Sequence, residues 1–185
     1  PFAVTVAHLV INEVDADTAG EDTEEFIEVD AGVSGADLSG YTLVLYNGSI
    51  DEVAEVFELA GTTDGNGLLT LANAAVSAGD VTVPDGTVQN GADGLAIYQD
   101  DPTEFTQGDD IRTAGILDAV VWGTDDPVDT ELTARLFPMF EGGQINENEH
   151  GNRETQSVQR CGSQRVTASV WEVAPSTPGA TNDCS

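Results

Sequence analysis

The stretch Val10 to Val29 (VINEVDADTAGEDTEEFIEV) holds eight carboxylates in twenty residues and no basic side chain. Carboxylates at this density admit three readings. A pair can do general acid–base work, as in glycoside hydrolysis. A set of hard oxygens can hold Ca2+, which takes roughly six to eight oxygen ligands and often draws them from alternate residues of an acidic loop. Or the acids form a solvated surface. The Ca2+ reading has definite residues: Asp15, Asp17 and Asp22, converging with Glu25, Glu13 or Glu28, because Val14 to Glu24 links two predicted neighbouring strands. The EF-hand pattern, with its central Gly and distal Glu, is missing from this loop. Further oxygen-rich places stand at Asp64 and Asn66, at Asn90 and Asp93, and at Asp100, Asp101, Asp109 and Asp110. The surface reading predicts that most acids of the opening stretch face water, with a cation only where Asp15, Asp17 and Asp22 gather.

Catalytic signals are weak. Nucleophilic hydrolysis through a Ser-His-Asp arrangement needs a usable histidine. The chain has two, His8 at the start of a predicted strand and His150 in a polar loop, and neither neighbours a GxSxG turn. GxxxxGK, HExxH and CxxC are all missing. With 34 acids in the chain a carboxylate pair arises by chance, so such a pair carries no information, and at 6 % the aromatics are too few to line a sugar cleft. The sequence reads as a non-enzyme.

Charge narrows the partners. The 185 residues carry 34 acids against 5 bases, all Arg, for a net charge of −29. A chain without Lys offers no electrostatic footprint for phosphate backbones, and its charge repels nucleic acid and anionic membranes. Self-repulsion of this size is relieved by salt, since the Debye length falls from about 10 Å at 0.1 M to about 3 Å at 1 M. That points to a saline, halophilic setting. Hydrophobic residues make up 39 %, enough for a core, and no run reaches the ~18 apolar residues of a membrane helix. The start at Pro1, without Met, is read as a processed or trimmed end. The only cysteines, Cys161 and Cys184, are expected to form a disulfide that ties down the C-terminal segment, which would place the protein outside the cytoplasm.

The elements that must position these groups are short β-rich runs between turn signals. Candidate strands are His8 to Val14, Glu25 to Val29, Tyr41 to Tyr46, Glu55 to Leu59, GLLTLA from Gly67, GLAIYQ from Gly94, LDAVVWG from Leu117, Ser157 to Arg160 and Ser169 to Val173. Gly, Asn, Asp and Pro punctuate nearly every junction, the pattern of an all-β sandwich or barrel. YTLVLY is apolar throughout and should be a central strand with both faces covered, whereas EFIEV alternates and should be buried only in part. One short helix is predicted over Asp129 to Phe137, capped by Asp129 or Thr130 and stopped by Pro138. Asn47-Gly48-Ser49 is an N-glycosylation sequence but also an Asn-Gly hairpin signal, and the turn explains it. PFAVTVA alternates Phe2, Val4 and Val6 with small residues and bears no side-chain charge. It is predicted to be an edge strand of its own sheet or a strand joining a neighbouring subunit.

Laid out in order, several motifs resemble those of lamin tail domains. They are VINEV at Val10, EEFIEV at Glu24, DLSGYTLVLYNG from Asp37 to Gly48, DGNG at Asp64, VQNGADGLAIY at Val88 and LDAVVWGT at Leu117. SVQRCG followed by PSTPGATNDC resembles the ending of bacterial extracellular members. The resemblance spans roughly residues 8 to 184 in one domain. It implies an immunoglobulin-like β-sandwich, here with long acidic loops and at most one short helix. It also implies a secreted, non-catalytic module for attachment or interaction at a cell surface. Two expectations follow: a structural subunit that assembles with itself into a filament or layer through Phe2, Val4 and Val6, or an accessory, Ca2+-binding domain beside a secreted hydrolase or nuclease.

Overall fold

The computed structural model describes residues 8–137 and 143–184. Among them eleven strands form two sheets, the mixed-length, turn-punctuated pattern expected of an all-β sandwich. They are β1 (Val10–Asp15), β2 (Phe26–Asp30), β3 (Thr42–Asn47), β4 (Glu52–Glu58), β5 (Leu68–Ala72), β6 (Val81–Thr82), β7 (Asp93–Tyr98), β8 (Ile116–Gly123), β9 (Ile145–Asn146), β10 (Gln156–Arg160) and β11 (Trp171–Pro175). The first sheet runs β11-β10-β1-β2-β5-β6 and the second β4-β3-β7-β8-β9. Inward residues of both meet in one core: Ile11, Val14, Ile27 and Val29 from the first, Leu43, Leu45, Leu95, Ile97, Val120 and Trp122 from the second.

Each sheet is also covered on its outer face, and by different means. Over the second sheet, helix α1 (Thr130–Leu136) and the 102–112 connection bury Val44, Tyr46, Ala96, Tyr98, Ala119 and Val121. Asp129 caps α1 by accepting the N–H groups of Glu131 and Leu132, which would otherwise lack partners. Gly94 makes this packing possible, because a Cβ there would lie 2.5 Å from Leu136 Cδ1. Over the first sheet lies the segment 176–184, tied at its far end by the disulfide Cys161–Cys184. YTLVLY is indeed buried on both faces.

EFIEV differs from its expectation. Phe26 and Glu28, on the outer face, are as buried as Ile27 and Val29, because the C-terminal segment covers what the alternation leaves to solvent. The expected disulfide is present, and such bonds persist mainly in oxidising, extracellular surroundings. Among the described residues no helix is long and apolar enough to cross a membrane. The strand predicted over Phe2, Val4 and Val6 and the helix stop at Pro138 lie outside the described residues.

Candidate functional site

The opening acids do not lie mainly in water. Of the eight between Val10 and Val29, five are buried: Glu13, Asp15, Asp17, Glu25 and Glu28. A β-bulge causes part of this. The β1–β2 register slips between Ile11 and Glu13, so Asn12 and Glu13 both turn outward and Glu13 lands directly opposite Glu28. Like charges directly opposite each other are destabilising, so this pair needs donors.

The C-terminal segment supplies many of them. Glu13 Oε1 accepts the Thr177 N–H at 2.7 Å and the Ser157 hydroxyl at 2.5 Å, and Oε2 accepts the Thr177 hydroxyl at 2.7 Å. Glu28 accepts the Gly179 N–H at 2.7 Å, the Thr70 hydroxyl at 2.9 Å and the Asn12 amide at 2.8 Å. Asn182 bonds back to Asn12 O and Arg160 O, one residue from the disulfide. Segment 176–184 is therefore a strap fastened by two glutamates and one cystine. Burial pushes the Glu13 carboxyl up and Glu28 to about 7, against the downward pull of these donors.

A second polar lock joins the sheets. Asp118 on β8 forms an ion pair with Arg160 on β10 at 2.5 Å and accepts the N–H groups of Ile11 and Val166. The Arg160 guanidinium also stacks on Trp171, 4.5 Å from the ring centroid. These partners satisfy a carboxylate that is wholly buried, which is the condition for tolerating one.

The four proposed metal ligands are held apart by separate partners. Asp17 pairs with Arg153 at 2.9 Å. Asp22 accepts the Thr18 N–H and the Asn90 amide. Glu25 accepts the N–H groups of Gly86 and Val88, and burial lifts it to about 7. Asp15 accepts only the Ser176 hydroxyl, at 2.6 Å, through Oδ2. Among the described residues no three His, Cys, Asp or Glu side chains gather as a group able to hold an ion. Asp64 and Asp101 likewise cap their own turns, and Asp93 accepts the Gly48 N–H.

Asp15 is the exception among these acids. Its Oδ1 is buried and has no hydrogen-bond partner, and the same holds for Thr18 Oγ1. Both residues line a cavity of about 380 Å³, with the exposed carboxylates Glu24 and Glu154 also on its wall. Burial, reinforced by the charges of Glu13, Asp17 and Glu25, raises Asp15 to about 8. Nearby, Glu147 is fully buried, accepts the Ala16 N–H at 2.9 Å and is pushed by burial to about 9. Glu147, Glu154 and Thr18 are missed by the sequence reading. They belong to this junction only through long-range packing, and nothing in their spacing signals it.

A second cleft opens at the side of the sandwich. About 490 Å³ lies between β4, including Ala54 and Phe57, and the segment Pro84 to Thr87. β4 is an edge strand: β3 pairs with one side, and the 108–110 connection meets only Glu52 and Val53 on the other. His8 and His150 take no part in either cleft; His8 faces Arg165, and His150 is exposed.

No family model matches the chain. The curated proteins and the solved structures likewise yield no match.

Proposed function

We propose that this protein is a secreted, non-catalytic structural module that assembles at a cell surface by strand addition. In this reading Phe2, Val4 and Val6 of one copy join the open edge of β4 in the next. The observation that carries it is the β4 edge. On the side away from β3, Ala54 to Glu58 meet no strand among the described residues, and this side borders a cleft where Ala54 and Phe57 pack against the core. Such an edge is a template for another strand, with alternate side chains filling the groove. PFAVTVA has the matching character: alternating, apolar and without side-chain charge in a chain of net charge −29.

Reach favours a second copy. β1 is separated from the β6 side of its sheet by β2 and β5, three strand spacings or roughly 14 Å. Residues 1–7 span at most roughly 23 Å when extended. Crossing to the cleft would leave about 9 Å, too little for Phe2 to Val6 to pair along β4. The immunoglobulin-like, lamin-tail type of sandwich belongs to the same proposal. It is supported by the ordered motifs from VINEV to the SVQRCG…NDC ending, whose cysteines are bonded here.

Deleting residues 1–7 tests the reading. The shortened chain should keep its disulfide and its melting temperature, and assemblies seen by native mass measurement at high salt should fall to single chains. Val56→Pro, placed on the open strand, should do the same from the acceptor side. An unchanged mass distribution in both variants, or a full-length protein that is a single chain throughout, would defeat it.

A further inference from the structure

We propose that Asn47 is an N-glycosylation site, with an oligosaccharide joined through Nδ2. Modification here requires export of the chain, to which its cystine points, but not assembly by strand addition. Asn47-Gly48-Ser49 is the one Asn-x-Ser/Thr sequence in the chain. The β3–β4 hairpin falls where the Asn-Gly pair predicts, but its turn is not built on that pair. A two-residue Asn-Gly turn needs both residues left-handed. Instead Asn47 ends β3 opposite Glu52, Gly48 is not left-handed, and the residue that is, with φ 57°, is Asp51. Gly48 serves close packing, since a Cβ there would lie 2.1 Å from Ala92 O. The hairpin therefore leaves Asn47 and Ser49 to be explained.

Asn47 Oδ1 accepts the Ser49 N–H at 2.8 Å and the Ser49 hydroxyl at 2.6 Å. Aspartate makes the same turn elsewhere in this chain. Asp101 accepts the Thr103 N–H and hydroxyl at 2.9 and 2.6 Å, and Asp30, Asp37 and Asp64 each accept an N–H two residues on. What asparagine adds is an amide nitrogen. With Oδ1 held over the turn, Nδ2 is directed away from it, to an exposed bond with Gln89 Oε1 at 2.9 Å. That bond uses one of its two hydrogens. Glycosyl transfer uses the other. The Nδ2–H bond breaks and an Nδ2–C1 bond forms to the anomeric carbon of a lipid-linked oligosaccharide phosphate. The phosphate leaves with the C1–O electron pair and takes up the proton. A second observation concerns the surroundings. Among the described residues three large hydrophobic side chains are exposed, and two of them line the two clefts that share Asn47: Ile50, 58 % exposed, and Val128, 59 % exposed. A bulky, solubilising sugar chain at that junction covers both, with its hydroxyls toward water. Asn47 stands at the turn end of β4, short of Ala54 to Glu58, so the open edge stays free.

The test is mass spectrometry of the full chain purified from the cells that make it, both intact and as peptides. The chain should be heavier than its sequence by at least one sugar, with the addition on the peptide that holds Asn47. Three variants made in the same cells separate the sugar from the turn. Asn47→Asp keeps an acceptor for both Ser49 bonds, and Ser49→Ala keeps the amide; each should lose all the added mass. Ser49→Thr, which preserves the acceptor sequence, should keep it. An Asn47 peptide without sugar overturns the proposal. If Cys161 and Cys184 are bonded in that unmodified chain, the secreted reading stands; if they are free thiols, it falls as well. Sugar that persists in Asn47→Asp lies on another residue and also overturns the assignment.

Discussion

Glu13 and Asp15 stand two residues apart on β1, on the same outward face, and both are buried. Their surroundings differ. Glu13 has both oxygens occupied by donors from β10 and the strap, whereas Asp15 has one hydroxyl donor and one buried oxygen without a partner. The strap accounts for the difference. Its backbone N–H groups at Thr177 and Gly179 lie over Glu13 and Glu28, while at the Asp15 end it offers only the Ser176 hydroxyl. Burial alone therefore does not assign a role to an acid. The donors brought over it decide whether it fastens the fold through both oxygens or keeps one of them unpaired.

The largest expected effect is at Glu13. Glu13→Ala removes the acceptor for the Ser157 hydroxyl and for both Thr177 groups. Unpaired buried donors cost about 1–3 kcal/mol each, so with partial entry of water the total loss should be about 3–4 kcal/mol. Asp15→Ala should cost less than half as much. Denaturant unfolding of both variants at high salt makes the comparison, and equal losses would break it.

Next comes the disulfide. Cys161 and Cys184 close a loop across 23 positions, worth about 3 kcal/mol by chain entropy. Replacing both with Ser should lower stability by that amount in thermal unfolding at high salt and expose the strap to proteolysis before the sheets. Cleavage within the sheets first would mean that the strap is held independently of its cystine.

Acidity sharpens the comparison further. Glu28 and Asp15 have folded values near 7 and 8, above their ordinary 4.5 and 3.8. The folded state therefore binds more protons than the unfolded state across this window, and the stability linked to these groups is present near pH 4 and lost as pH rises through 7 to 8. Unfolding free energy at high salt should fall from pH 5 to pH 8. Glu28→Gln should flatten that slope, and an unaltered slope in the variant would remove Glu28 from the account. The smallest effect is expected for Asp15→Asn, whose stability at pH 8 should lie within about 1 kcal/mol of wild type, since a neutral isostere suits a half-satisfied buried site.

Much of the scaffold is legible in the sequence. Strand runs and turn residues locate nine of the eleven strands, and DTELTARLF locates α1 with Asp129 as its cap. The two strands it misses, Val81–Thr82 and Ile145–Asn146, are too short to show a period and exist through parallel pairing with β5 and β8. The acids were harder to read. Alternation in EFIEV cannot reveal that Gly179, some 150 residues on, will cover Glu28. Nor does the spacing of VINEV show the bulge that sets Glu13 against Glu28. Carboxylate density marked the right strands, but long-range partners separate Asp15, Asp17, Asp22 and Glu25 into four different environments.

Amide hydrogen exchange at Thr177 and Gly179 tests most directly whether the strap is what distinguishes Glu13 from Asp15. The account predicts that Glu13→Ala speeds exchange at both amides by at least about tenfold relative to core amides of β3, while Asp15→Asn leaves them at wild-type rates. Equal acceleration in both variants, or protection in Glu13→Ala as strong as in wild type, would contradict it.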